Sequence, residues 1–290
     1  MSETLAQVAV SIDLEEYFQV EAMAAVVARE QWPRMPARVE AATERLLELL
    51  EAHAAAATFF VVGWVAERHP TLIARIAAAG HELGCHSQWH RPVFRLGPAE
   101  FREDTRRAKA AIEGACGRAA RGYRAPNFSI RSWGPQAMDW AMEILAELGF
   151  SYDSSLHPVR HPLYGAAGAP RRPFQHSRSG LLEIPMASVE RLGQRLPIAG
   201  GAYWRLAPLV YTRWGLSHAI GEGLRPVCYL HPWEIDPEQP RVRLAFGPRL
   251  RHYTGLKGME AKLEALLRRF GSRTIRDLYA PELEAVLVPA

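Results

Sequence analysis

The sequence predicts an α/β fold, a single barrel of the (β/α) type. Three observations predict it. Short apolar runs alternate with helical patterns, the rhythm of parallel strands with helices packed outside. The run Thr58–Val62 (TFFVV) is continuously apolar, as a strand buried on both faces requires. Polar clusters recur where strands end, which is where such barrels carry their chemistry.

In chain order, Gln7–Ile12 reads as a strand, Ala37–His53 as a helix and Ala57–Gly63 as a second strand. Ala66–Ala79 is helical and ends at Gly80, a common terminator. Glu82–His86 is a third strand. Pro98–Gly114 is a helix with Pro98 in its first turn, where proline is tolerated. Gly122–Ala125 is extended, because Pro126 disfavours α geometry just before it. Trp133–Leu148 is a helix closed by Gly149, followed by a strand at Phe150–Ser154. Residues 157–204, rich in Pro, Gly and Arg, read as a long ordered excursion over the barrel mouth that includes a strand at Leu181–Ala187. Arg205–Gly221 is helical and Arg225–His231 is the last strand. Gly258–Phe270 is a helix within a helical tail at about 257–290. No repeat, low-complexity run or linker divides 1–290, which reads as one domain.

Composition narrows the function classes. The formal charge of +4 is small for 290 residues and lacks the clustered basic stripe of a nucleic-acid binder. Arg106 and Arg107, with Glu103 and Asp104, read as a solvated helix face. Three cysteines (Cys85, Cys116, Cys228) without a CxxC argue against disulfides and a thiolate metal site. No apolar run reaches the ~18 residues of a membrane span. The start, MSETLAQVAVSIDLEE, lacks a basic segment of the signal-peptide type. The expectation is a cytoplasmic chain, with a peripheral membrane contact left open.

Five clusters carry chemistry. Asp13-Leu14-Glu15-Glu16 leaves the first strand, and it suits a helix N-terminus as well as a site. His86 and His90, in HSQWH, have the i, i+4 spacing by which a helical turn shares a metal ion. Taken alone, that spacing more often marks paired surface or core histidines. Two imidazoles and a carboxylate make a three-ligand site with room for water, suited to zinc and compatible with cobalt or nickel. Arg124, in RAPNF, could hold a carboxylate or be an ordinary turn residue. Asp153, in YDSS, could be a cap, and His231, in LHPW, a buried bonded imidazole. Tyr17, Phe18, Trp89, Trp133, Trp204 and Trp233 are candidates to stack on a ligand ring, and His157 and His161 to line a groove. Cys85 neighbours His86 on a strand and should point to the opposite face.

The order of these motifs resembles the polysaccharide deacetylase family, which includes the NodB-type chitooligosaccharide deacetylases. It is most similar to the subfamily of exosortase-associated exopolysaccharide loci. The resemblance runs through SIDLEEYFQV, GHELGCHSQWH, RGYRAPNFSI, YDSSLHP and CYLHPWEIDPEQPR to RLRHYTGL. It implies a distorted (β/α)7 barrel and a metal-dependent N-deacetylase. It implies Asp13 as base, Arg124 as the group orienting it, and Glu15, His86 and His90 as ligands of one divalent ion. It further implies His231 as general acid, Asp153 as the partner orienting His231, and the Asn127 N–H as an oxyanion donor. The substrate implied is an N-acetylated oligo- or polysaccharide. Glu16 remains an alternative ligand, since Leu14 occupies the family's usual metal position. Pro162 and Ala202 depart from the subfamily pattern. A hydrolase of small cyclic amides and an inactive carbohydrate-binding protein are competing readings.

Overall fold

The computed structural model describes residues 7–161 and 164–287. Pro162 lies outside them. Seven parallel strands curl into a barrel: β1 (Ala9–Leu14), β2 (Thr58–Val61), β3 (Glu82–Cys85), β4 (Gly122–Tyr123), β5 (Tyr152–Asp153), β7 (Leu182–Glu183) and β10 (Val227–Leu230). The order is β10-β1-β2-β3-β4-β5-β7, and β6 (Phe174–Gln175) adds antiparallel to β7. In register, Asp13 pairs with Phe60, Phe60 with Gly84, and Ile12 with Leu230. All four residues of β2 are buried, as the apolar run requires.

The barrel is distorted where β7 should meet β10. No regular ladder joins them. Instead Ala187 donates its N–H to Val227 O (2.9 Å), Tyr229 to Ala199 O (2.8 Å) and Gly201 to Tyr229 O (3.0 Å). Gly200 lies at φ 144°, and a Cβ there would sit 1.8 Å from Tyr229 O. Only glycine lets the two backbones approach this closely.

The outer helices are α1 (Val39–Ala52), α2 (Gly63–Arg68), α3 (Pro70–Ala78), α4 (Pro98–Cys116) and α5 (Asp139–Glu147). The predicted helix 66–79 is therefore two, broken at His69 before Pro70, and the predicted 133–148 starts later, at Asp139. The excursion holds β6, β7, the hairpin β8–β9 (Ser188–Arg191, Gln194–Pro197) and the short α6 (Ala202–Leu206). After it come α7 (Leu209–Gly221), α8 (Phe246–Tyr253), α9 (Met259–Phe270), α10 (Ile275–Leu278) and α11 (Ala280–Leu287). The expected helix 205–221 breaks at Pro208, which lacks the N–H to continue it. The tail returns to the barrel floor, where Gln7 donates to Phe270 O and Ser272 Oγ accepts from Val10 N–H. No helix among the described residues is long and apolar enough to cross a membrane.

Candidate active site and metal centre

The parallel topology gathers the strand exits at one rim. Asp13 lies on β1, His86 just after β3, Arg124 after β4, Asp153 on β5 and His231 after β10. Asp13 and Glu15 are two apart on extended chain and share a face, while Leu14 and Glu16 face the other way.

Glu15, His86 and His90 offer ligand atoms that all lie within 4.8 Å of one another, and all three are buried. Their surroundings fit a cation. His86 Nδ1 meets Arg124 O at 2.7 Å. That bond places the ring proton on Nδ1 and leaves Nε2 as a lone pair, the usual support for a metal histidine. Burial pulls the His86 pKa down to about 4, so the ring is a neutral donor. Trp233 Nε1–H donates to Glu15 Oε1 (3.1 Å). Glu15 Oε2 is 2.7 Å from His90 Nε2 yet has no aligned hydrogen-bond donor. Burial alone would raise Glu15, but the imidazoles of His90, His231 and His86 hold it at about 2.

Glu16 is not part of this cluster. Its carboxylate accepts the N–H groups of Arg38 (2.9 Å) and Val39 (3.2 Å), where α1 begins. It satisfies the orphan donors of a helix N-terminus.

The HSQWH segment is not helical, contrary to the expected helical turn. Ser87 (φ 62°) and His90 (φ 50°) are left-handed, which turns both rings inward from a loop. Strain of this kind persists only when the surroundings over-determine it. Here Ser87 O and Gln88 O accept from Gly63 and Trp64 N–H at the start of α2. Gln88 N–H donates to Asp104 Oδ2 (2.7 Å). Asp104 is therefore buried, unlike its neighbours Arg106 and Arg107, which pair with Glu103 and Glu67 in solvent.

Arg124 is fully buried. It donates to Asp13 Oδ1 (2.8 Å), Ser11 Oγ (2.6 Å) and Ser154 O (3.0 Å), with its guanidinium 4.2 Å from the Phe60 ring. Asp13 Oδ2 faces the other way, 3.9 Å from His231 Nε2. Asn127 is left-handed (φ 55°) and lines the cleft.

Asp153 does not meet His231, contrary to the expected pairing. It accepts from Ser155 Oγ (2.7 Å), and that oxygen in turn accepts Ala125 N–H (2.8 Å). Asp153 thus braces the RAPNF turn. Burial raises both Asp153 and its neighbour Glu183, and the Asp153 carboxylate raises Glu183 further. The carboxylate on His231 is Glu234, with Nδ1 to Oε2 at 2.9 Å. Glu234 is fixed from behind by Arg205 Nε (2.6 Å), whose other contacts are His252 O and Thr254 O. Burial alone would raise Glu234, but Arg205 and His231 hold it at about 2. Burial alone would lower His231, but Glu15, Glu234 and Asp13 outweigh it and hold the imidazole at about 9.

Of the aromatic candidates, Trp233 lines the cleft, stacked on His231 at 4.9 Å. Tyr17, Phe18 and Trp204 are core residues, Trp89 lies between Arg29 and Arg107, and Trp133 packs on Phe174. Tyr164 and Tyr229, not singled out in sequence, line the wall. His157 is buried behind Tyr164, and His161 stacks on it at 3.7 Å. The three cysteines are free, and burial pushes the Cys85 thiol up, away from a ligand thiolate.

Residues 32–149 match the polysaccharide deacetylase family, and residues 154–280 match a domain of unknown function, DUF3473. His86, His90, Arg124 and Asn127 fall in the first match, and Arg205, His231 and Glu234 in the second. The chain is 40% identical over 85 residues to a chitooligosaccharide deacetylase of Bradyrhizobium sp., covering 29% of this chain and 39% of that protein. It is 28% identical over 113 residues to a peptidoglycan-N-acetylglucosamine deacetylase of Bacillus cereus, covering 34% and 41%. It thus spans about two fifths of the length of these curated relatives. A solved structure from Mycobacterium smegmatis, assigned provisionally to the polysaccharide deacetylases, matches with a TM-score of 0.60 at 21% identity, over 100% of this chain and 94% of that one. By the match over residues 32–149, the chain carries a polysaccharide deacetylase domain.

Proposed function

We propose that this protein is a metal-dependent N-deacetylase, acting on acetamido groups of an N-acetylated oligo- or polysaccharide and releasing acetate. The observation that carries the reading is a convergence in one cleft. Asp13, held by Arg124, and His231, held by Glu234, both line it beside the Glu15–His86–His90 cluster.

Glu15, His86 and His90 would hold one divalent ion, zinc by donor type with cobalt or nickel compatible, which supplies Lewis acidity toward water and the acetyl carbonyl. Arg124 engages Asp13 Oδ1, which leaves Oδ2 to accept a proton from the attacking water. The water oxygen adds to the amide carbon. Asn127 N–H donates to the oxyanion that develops there. Glu234 holds His231 through Nδ1, which leaves Nε2 as the atom that carries the proton for the leaving amine. It passes that proton to the sugar nitrogen as the C–N bond breaks, giving acetate and a free amine.

Divalent-metal stoichiometry of purified wild type and His90→Ala, beside acetate release from N-acetylated oligosaccharides, tests the reading. One ion per chain in wild type and none in the variant is expected. Asp13→Asn should keep the ion and lose turnover. An active Asp13→Asn protein, or a wild type that takes up no zinc, cobalt or nickel, would remove the mechanism.

A further inference from the structure

Beside the mouth of the cleft, α8 is amphipathic, and its outer face carries exposed apolar side chains. Its inner residue His252 is buried and lines the cleft. On the outer face Phe246 is 72% and Leu250 54% exposed. Four residues apart on a helix, they form one stripe. Arg249 and Arg251 flank Leu250 at about 100° to either side, the turn per residue of an α-helix. Arg241 and Arg243 are exposed just upstream. Among the described residues none of these four arginines has an ion-pair partner, whereas Arg38, Arg171 and Arg205 do. Residues 239–259 contain no Asp or Glu. The short helix Glu21–Met23 packs against α8, and its carboxylate is taken by Arg95. Val26, just beyond it, is also largely exposed.

We propose that α8 and the basic segment before it dock the protein on an anionic phospholipid surface. The Phe246–Leu250 stripe enters the interface and Arg241, Arg243, Arg249 and Arg251 lie at headgroup level. An apolar stripe flanked by arginines is the pattern of a helix lying in the membrane plane. A soluble polyanion would use the arginines but has no use for two aligned apolar side chains in water. A second copy in a twofold contact would set this positive run against itself. Docking places the cleft, whose wall includes Arg251 and His252, beside the bilayer. The inference requires no catalytic activity.

The test is co-sedimentation of the full chain with vesicles of phosphatidylcholine alone, or of equal parts phosphatidylcholine and phosphatidylglycerol. Wild type should bind the mixed vesicles, fail on the neutral ones and be released by salt. The exposed-residue variants Phe246→Ser/Leu250→Ser and Arg243→Gln/Arg249→Gln should each weaken binding about tenfold or more. Circular dichroism confirms that the variants fold. Absence of binding by wild type overturns the proposal, as does equal binding to neutral vesicles or undiminished binding by the folded variants. Binding that a soluble anionic polysaccharide abolishes and that Phe246→Ser/Leu250→Ser leaves intact would assign the patch to the polymer.

Discussion

Two carboxylates three residues or fewer from a functional side chain have opposite jobs here, and single substitutions separate them. Glu234 holds His231 through Nδ1, and Gln at that position keeps the size but loses the charge. Glu234→Gln should lower acetate release about 10- to 100-fold, on the scale of a misplaced general acid. Metal content should not change. Unchanged turnover would show that His231 needs no orienting group. Glu15→Ala should abolish metal binding. Glu16→Ala should keep the ion and instead cost about 1–2 kcal/mol in urea unfolding, the loss of a helix cap. If Glu16→Ala strips the metal, the assignment of the pair is reversed. Glu234 had a signal in the sequence, a carboxylate three residues after His231 in HPWE. Arg205 had none.

Elements owe their positions to a few close approaches. The loop carrying His86 and His90 is clamped between the start of α2 and Asp104 of α4. Asp104 sits in the buried stripe Phe101, Asp104, Thr105, Ala108, Ile112, so helical periodicity already marked it as inward-facing. A mixed-charge run hid that mark. At barrel closure, Gly200→Ala forces a methyl into Tyr229 O and should cost about 3 kcal/mol or more, with reduced urea midpoint and unchanged slope. A neutral Gly200→Ala would mean that the seam between 199–201 and β10 opens without consequence.

At the scale of the whole molecule, stability should report both the ion and pH. An ion that binds only the folded chain adds about 2.7 kcal/mol at a hundredfold excess over its Kd. Zinc should therefore raise the Tm of wild type by several degrees and leave His90→Ala unmoved. A shift of equal size in both would place the ion elsewhere. His81 is buried, which lowers its pKa from 6.5 to about 4. Folding favours the neutral ring, so its contribution is complete above pH 6.5 and is lost as pH falls toward 4. His81→Asn keeps an acceptor for Ala57 N–H and should flatten that decline by on the order of 2 kcal/mol. The same slope in both proteins would assign the acid sensitivity to other groups.

Chain order alone determined the barrel, its strands and the rim on which Asp13, His86, Arg124 and His231 meet. It could do so because alternating βα units leave few topologies, and parallel strands put every exit at one end. The choice of Glu15 over Glu16 came from the resemblance, and the structure sets Glu15 beside His86 and His90 while Glu16 caps α1. Tertiary structure alone decided that Asp153 stays apart from His231. Glu234 shares the turn after β10 with His231, while Asp153 sits on β5, which pairs with β4 and β7 and not with β10. The loop form of HSQWH was likewise invisible, because its left-handed residues are stabilised by α2 and α4, far away in sequence. The exposure of Phe246 and Leu250 was decided in the same way, by which face of α8 the barrel covers.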